Sequence, residues 1–501
     1  MNTTNIREKF STLRIENRPF INGVHVKPAN GRMLEKTCPA DGTIIPSIYI
    51  CDREDVDQAV RHAAKAFQLG HWSQKSSAEK KVILFELARL LEEEIATLAY
   101  LDTLETGRPF GNFQKDSIPK AIGALRWFTE SIDKLYEHYI SNARSSLSFI
   151  THEPLGVVGI ITPWNDPLVI ALWKITPALL MGNSVIVKPA EQSSFSTLRL
   201  AALAKQAGIP DGVLNVLTGP GEETGKAIAL HPEIRGIFFT GSSEVGKLML
   251  GYSGQSNMKK VALECGGKSA FIVSEKCDQL KTAAQTLAKN MFYNQGQICS
   301  APSRLFVQSS VREAFLDELA RELEAYVPSN PFEPSTKVGA IVSEEQYTRI
   351  QHFIRLGVDS GLNAISPGLR HEQSDGNGYY IAPTVFTDVP EQSPLATEEI
   401  FGPILVTTEF ETMPEAIQLA NSSKYGLAAS IWSASLDEAL TCAKALEAGI
   451  VHVNSYGEDD MSVPFGGIKE SGLGKDKSLF AFDEYSNLKT TWIKLRTDEK
   501  Q

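Results

Sequence analysis

Gly156-Val-Val-Gly-Ile-Ile161, Ser184-Val-Ile-Val-Lys188, Val213-Leu-Asn-Val-Leu217, Ile237-Phe-Phe239 and Lys260-Val-Ala-Leu263 decide how this chain folds. They are short, largely apolar runs, as expected of strands covered on both faces. Helical signals separate them. An apolar stretch occupies Leu168–Leu180, a helix over Ser196–Ala207 is closed by Gly208 and Pro210, and further helices start near Glu222 and Ser243. The alternation predicts an α/β fold with a doubly wound parallel sheet.

Outward from this block the pattern changes twice. On the N-terminal side, the first ~55 residues read as short strands and turns, such as Phe20-Ile-Asn-Gly23. A long helix is expected next. Ser76-Ser-Ala-Glu79 fits a capping box, Leu84, Leu87, Leu91, Ile95 and Leu98 keep one apolar face, and Gly107 and Pro109 end it. On the C-terminal side, a second α/β block runs from about residue 267 to 470, with strands at Ala270–Val273, Arg304–Val307 and Gly449–Val453. The stretches Ser145–His152 and Leu488–Leu495 fit neither block. They read as half-buried strands of a small sheet that adds to another subunit.

Composition narrows the function. The 501 residues carry 49 Lys plus Arg against 60 Asp plus Glu, a formal charge of −11. That balance argues against a generic nucleic-acid binder. No apolar run reaches the ~18 residues of a membrane span, and the polar start lacks a signal-peptide core. The six cysteines (Cys38, Cys51, Cys265, Cys277, Cys299, Cys442) form no CxxC and no Cys/His cluster. Reduced thiols in a cytoplasmic protein, with no zinc site, are expected.

Three places could carry chemistry. In Asn294-Gln-Gly-Gln-Ile-Cys-Ser300, polar and flexible neighbours suit an accessible loop where backbone amides could stabilise a Cys299 thiolate. Glu264 ends an apolar strand just before two glycines, where α/β proteins place general bases, or it is simply a surface carboxylate. Asn165, in Thr162-Pro-Trp-Asn165 after the first strand, could donate to a developing oxyanion or simply make a turn. Nucleotide signals are irregular. No GxGxxG follows the first strand, but Lys188-Pro-Ala-Glu191 follows the second, where Glu191 could bind ribose hydroxyls. Gly241-Ser-Ser-Glu-Val-Gly246 opens a helix whose amides would attract a pyrophosphate. Gly241–Lys247 nearly matches a P-loop, but Leu248 stands where Ser or Thr is needed. Gly267-Lys268-Ser269 has the right ending, but Ala262 replaces the first glycine.

Together, Pro163-Trp-Asn165, Lys188-Pro-Ala-Glu191, Phe239-Thr-Gly-Ser242, Glu264-Cys-Gly-Gly-Lys-Ser269, Gly296-Gln-Ile-Cys299, Glu398-Glu-Ile-Phe-Gly-Pro403 and Pro464-Phe-Gly-Gly467 resemble the aldehyde dehydrogenase superfamily over about residues 20 to 495. The resemblance implies a Rossmann-type cofactor domain (1–135 and 155–266), an α/β catalytic domain (267–475) and oligomerisation strands with a tail (136–154 and 476–501), assembled as a homodimer or homotetramer. It implies that Cys299 attacks an aldehyde, Asn165 and the Cys299 amide hold the oxyanion, hydride passes to NAD, and Glu264 activates water to release the acid. Lys174 and Asp476 match a proton-relay pair whose second member is usually Glu. Ile161, Trp164, Lys188, Glu191, Gly221, Ser242, Glu399 and Phe401 match cofactor positions. Glu191 would repel a 2′-phosphate, so NAD is expected over NADP.

Similarity looks closest to the branch oxidising ω-amino aldehydes and γ-glutamyl-γ-aminobutyraldehyde from putrescine breakdown, on Ile132–Tyr136, Asp460–Phe465 and Asp476–Leu479. The resemblance lines a substrate tunnel with Asp116, Asp166, Trp173, Ile298, Ser300, Glu458, Asp459, Asp460 and Phe465. The acids among them would attract an ammonium group, or else form only a solvated rim. Aliphatic and betaine aldehydes are the alternative substrates. A P-loop NTPase, a thiol hydrolase using His231 or His352, and a catalytically silent protein on the same fold are the competing functions.

Overall fold

A computed structural model describes residues 6–143, 145–366, 378–458 and 460–496. Strand pairing places the five quoted runs in one eight-stranded sheet. Its central order is Leu214–Val216, Ser184–Lys188, Val157–Ile161, Ile234–Thr240, Lys260–Glu264, all parallel. The chain starts in the middle, winds one way, then returns to the other side. The crevice in which ligands sit in open α/β sheets therefore opens at the carboxyl end of Val157–Ile161. Short antiparallel strands close the edges, Phe20–Ile21 on one side and Gly472–Leu473 on the other.

The apolar runs are explained by what covers them. Val158, Ile160, Val185, Val187 and Phe238 join one buried cluster with Leu84, Leu168 and Leu198. Their neighbours Val157, Ile161, Ile186, Ile237 and Phe239 join another with Val56, Val60 and Ile228. Alternate residues of each strand thus meet helices on opposite faces, so neither face can be polar.

The expected single helix is two. Ser77–Glu93 and Ile95–Thr106 meet at Glu94, whose backbone (φ −108°, ψ 12°) leaves the helical region. At this break the Glu94 carboxylate accepts from Arg199 Nε at 2.7 Å. The capping box is present. The Ser76 hydroxyl accepts from the Glu79 amide at 3.3 Å, and the Glu79 carboxylate accepts from the Ser76 amide at 2.8 Å.

A seven-stranded sheet forms the second block, ordered Ala364–Ile365, Thr384–Phe386, Ile404–Phe410, Arg304–Gln308, Ala270–Val273, Ala428–Trp432, Ile450–Val453. Three antiparallel strands, His138–Ala143, Ser146–Pro154 and Ser486–Lys494, make a separate small sheet. The last of these was expected to be half-buried. Beyond Ser486 it is exposed along its whole length, Leu488, Trp492 and Ile493 included. Among the described residues, no helix is long and apolar enough to cross a membrane.

Candidate active site

Parallel register brings the sequence candidates to one edge. Ile161 lies level with Lys188 and with Phe239, and Thr240 lies level with Glu264. The ends of four strands thus deliver Ile161, Lys188, Ser242 and Glu264 to one rim. Lys188 is buried and donates to the Glu191 carboxylate at 2.9 Å, fixing the acid at the crevice. The turn Gly221–Gly225 lies over both strands, since a Cβ added at Gly225 would sit 3.6 Å from Lys188 and 3.9 Å from Ile161. At Gly221 itself nothing lies within 4 Å, so packing does not demand glycine there. The Ser242 hydroxyl caps the helix Ser243–Gln255 by accepting from the Val245 amide at 3.2 Å. Trp164 meets Phe401 edge to face, with ring centres 5.2 Å apart.

The two glycines after Glu264 have separate jobs. A Cβ at Gly266 would fall 1.8 Å from a Glu399 carboxylate oxygen, and a Cβ at Gly267 would fall 2.8 Å from the Cys299 carbonyl. Their missing side chains let the Glu399 carboxylate and the Cys299 loop close onto the strand end. The Gly267 amide donates to Glu399 at 3.0 Å. Gly466 plays the same part for Glu264, whose carboxylate oxygen would lie 2.4 Å from a Cβ there.

Of the six free cysteines, Cys299 alone is not fully buried. Its loop leaves the helix Leu280–Phe292 through three successive left-handed residues, Asn294 (φ 49°), Gln295 (φ 57°) and Gly296 (φ 71°). Buried amides hold that turn. Asn294 donates to the Asn165 carbonyl at 2.9 Å, Gln295 to the Ala340 carbonyl at 2.7 Å, and the Val342 amide to the Gln297 side chain at 3.1 Å. The Asn165 amide donates to the Gln297 carbonyl at 3.0 Å. Only one of its two N–H groups is spent there, which leaves the other for an oxyanion. From below, the Tyr456 hydroxyl donates to the Ser300 carbonyl at 2.6 Å. Ile298 packs against the core of the second block.

Electrostatics modify the thiolate expectation. The Ser300 and Cys299 amides do pull the thiol down. Burial by surrounding protein, followed by Glu399 and Glu264, outweighs them and pushes it up to about 12. Its surroundings therefore favour the neutral thiol over the thiolate. Burial first, and then Asp476, raise Glu264 well above the ordinary carboxylate range, against Lys174 and Lys475. Neither Glu264 oxygen has a hydrogen-bond partner among the described residues. Lys174 and Asp476 form a buried pair at 2.7 Å. Asp476 is tied across to Phe465 by two 2.8 Å backbone bonds, and the Phe465 ring lies 5.5 Å from Trp173.

The acids expected to attract an ammonium group are mostly occupied. Asp166 faces the buried Arg108 at 3.3 Å, and Ser117 donates to it at 3.4 Å. Asp116 accepts from the Tyr293 hydroxyl and pairs with Lys120 at 3.0 Å. Arg108 also binds Tyr293, so both acids sit in one compensated network. Glu458 and Asp460 are exposed, and Asp460 holds its own turn by accepting from the Ser462 amide at 2.7 Å. Asp459 lies outside the described residues. Sequence reading missed Arg108, Tyr293, Gln297 and Tyr456. Arg108 had a signal, a cation directly after the helix-ending Gly107.

A dinucleotide fits this edge. Among the described residues the Thr162 and Thr240 hydroxyls are buried without partners at the strand ends, and the Glu191 and Glu399 carboxylates lie at the same edge. The P-loop alternative fails on geometry, because Lys247 turns outward to pair with Glu470 at 2.8 Å. Of the two histidines of the thiol-hydrolase alternative, His231 is engaged by Asp57 and His352 lies edge-on to Phe353.

A cysteine, a buried carboxyl and a carboxamide converge on a strand-edge crevice that suits a dinucleotide. Comparison gives the family. Residues 25–491 match the aldehyde dehydrogenase family, and the chain belongs to it. It is 43% identical over 489 residues to the NADP/NAD-dependent aldehyde dehydrogenase PuuC of Escherichia coli, covering 98% of each chain. It is 42% identical to an aminoacetaldehyde dehydrogenase of Pseudomonas aeruginosa, covering 96% of this chain and 97% of that one. Among solved structures it superposes at a TM-score of 0.96 and 43% identity on the P. syringae indole-3-acetaldehyde dehydrogenase AldA, a mutant in complex with NAD+, covering 98% and 99%. It superposes at 0.95 and 41% identity on a gamma-glutamyl-gamma-aminobutyraldehyde dehydrogenase from Burkholderia cenocepacia, covering 98% and 99%.

Proposed function

We propose that the chain oxidises an aldehyde to a carboxylic acid with NAD, and that Cys299 is the nucleophile. The convergence of Asn165, Glu264 and Glu399 on the one incompletely buried cysteine carries this reading. The raised thiol must lose its proton as it attacks, and the empty Glu264 carboxylate is the base within reach of the same electrostatic field. Sulfur adds to the carbonyl carbon, giving a thiohemiacetal whose oxyanion is held by the free Asn165 N–H and the Cys299 amide. A bound nicotinamide supplies the hydride acceptor. The remaining thioacyl group is then attacked by water that Glu264 deprotonates, which releases the acid and the thiol. Lys174 and Asp476 carry the proton away from Glu264. Ile161, Trp164, Lys188, Glu191, Gly221, Ser242, Glu399 and Phe401 hold the cofactor, with NAD preferred because Glu191 excludes a 2′-phosphate.

Among aldehydes, an amino aldehyde of polyamine breakdown is favoured. The amino-aldehyde names carried by two relatives support this more than local charge does, since Asp116 and Asp166 are already paired. The remaining charge argument rests on Asp459 and Asp460. The small sheet, with Tyr139, Phe149, Leu488 and Trp492 exposed, supports assembly as a homodimer or homotetramer of a cytoplasmic enzyme.

The test is NADH formation by purified protein with γ-aminobutyraldehyde, its γ-glutamyl conjugate, betaine aldehyde and propanal. Oxidation is expected with NAD, fastest for the amino aldehydes, and absent in Cys299→Ser. Turnover in Cys299→Ser would overturn the mechanism. Propanal as the best substrate would overturn only the substrate class.

A further inference from the structure

Lys268 belongs to the stretch Glu264–Ser269, of which the proposed chemistry uses only Glu264. It follows Gly267, whose amide binds Glu399, and its backbone is fixed by Arg304, which donates to the Lys268 carbonyl at 2.8 Å. Its ammonium is buried and has no hydrogen-bond partner among the described residues. An uncompensated ammonium in that position is costly unless a charge nearby uses it. Lys268 and Glu399 line the same small cavity with Gly267, Ile400 and Phe401.

The other charges around this cavity are committed. Arg304, on Arg304–Gln308, spends its remaining donors on the Leu419 and Ala420 carbonyls. Arg349, on Glu344–Asp359, donates to the Glu399 backbone carbonyl at 2.9 Å and faces Glu398 at 3.8 Å. Lys424 acts on Glu399 from a distance, and Tyr425, Cys299 and Glu264 add only acidic groups. We propose that Lys268 is a positioning residue that keeps the Glu399 carboxylate ionised and directed at the nicotinamide ribose, and so sets affinity for the dinucleotide. The proposal rests on the reading of Glu399 as a ribose ligand. In support, burial pushes Glu399 up to about 7, with Lys268 opposing, and pushes Lys268 down to about 7, with Glu399 opposing.

The test is the dissociation constant for NAD, read by fluorescence from about pH 6 to about pH 9, in the parent protein, Lys268→Met, Lys268→Arg, Glu399→Gln and the double variant K268M/E399Q. Removing the cation should weaken binding roughly fivefold at neutral pH, the scale of one charge-assisted contact, and move the midpoint of the pH dependence upward. Lys268→Arg should retain most of the affinity. On the Glu399→Gln background the loss from Lys268→Met should nearly vanish. Equal losses on both backgrounds, or an unmoved midpoint in Lys268→Met, would overturn the proposal. An unchanged affinity in Glu399→Gln alone would overturn the ribose reading and the proposal with it. Lys268→Gln replaces Lys268→Met if the latter does not fold.

Discussion

The pair Lys174–Asp476 presses on Glu264 from both signs, and removing one member or the other should move the base in opposite directions. Lys174 favours the charged form of Glu264, and Asp476 opposes it. With an effective dielectric of ~20, a unit charge about 8–12 Å away contributes about 1.4–2 kcal/mol, or roughly 1 to 1.5 pH units. As the proposed base, Glu264 would work only when ionised, so the rate of acyl release should rise with pH through its titration. Lys174→Met should therefore shift that limb up by about one unit, and Asp476→Asn should shift it down by a similar amount. The assay acylates Cys299 with an activated ester and follows loss of the acyl group from about pH 6 to about pH 9.5. Stability is the control. The pair is 1% and 6% exposed, and deleting one partner of a buried pair costs about 3–5 kcal/mol. The 501 residues, at about 2.1 cal/mol/K each, give an unfolding entropy near 1 kcal/mol/K, so either variant should melt about 3–5 °C lower. Shifts of the same sign in both variants would refute the electrostatic account and leave the pair a structural brace.

The Cys299 thiol, raised to about 12, should be alkylated by iodoacetamide at a rate that still climbs above about pH 9; a plateau near neutrality would contradict it. Gly266→Ala, whose Cβ would overlap the Glu399 carboxylate, should raise KM for NAD about tenfold while kcat falls less; Gly267→Ala collides with Cys299 backbone and should lower kcat more, as steady-state kinetics will show. Asp166→Asn unbalances the Arg108 network and should weaken amino and neutral aldehydes alike, whereas Asp459→Asn with Asp460→Asn should raise KM only for amino aldehydes. Parallel KM measurements with γ-aminobutyraldehyde and propanal separate these outcomes.

Much of the fold was legible because strands buried on both faces leave a signal in every residue. Val157–Ile161 and Ser184–Lys188 could hardly be read otherwise. The break at Glu94 was not legible, because neither Gly nor Pro marks it and the partner of its side chain, Arg199, lies about one hundred residues away. The same division holds at the site. Cys299, Glu264 and Asn165 stand in local settings that advertise chemistry, and parallel register then brings the strand ends together. The pairing of Asp116 and Asp166 was invisible, since Arg108 and Tyr293 reach them from separate segments. In the sequence the two glycines after Glu264 mark only the end of a strand. Only the structure shows that each makes room for a particular distant atom.

The left-handed turn at Asn294–Gly296 carries a consequence well beyond its own neighbourhood. Non-glycine residues in that conformation cost on the order of 1 kcal/mol each, and here the cost is met by amides anchored at Ala340 and Val342. The aim of the sulfur is thus leased from a segment forty residues downstream that shares no chemistry with it. A chain could keep every signature residue intact and still go silent through a change near residue 341, and screens that score motifs alone would pass it as active.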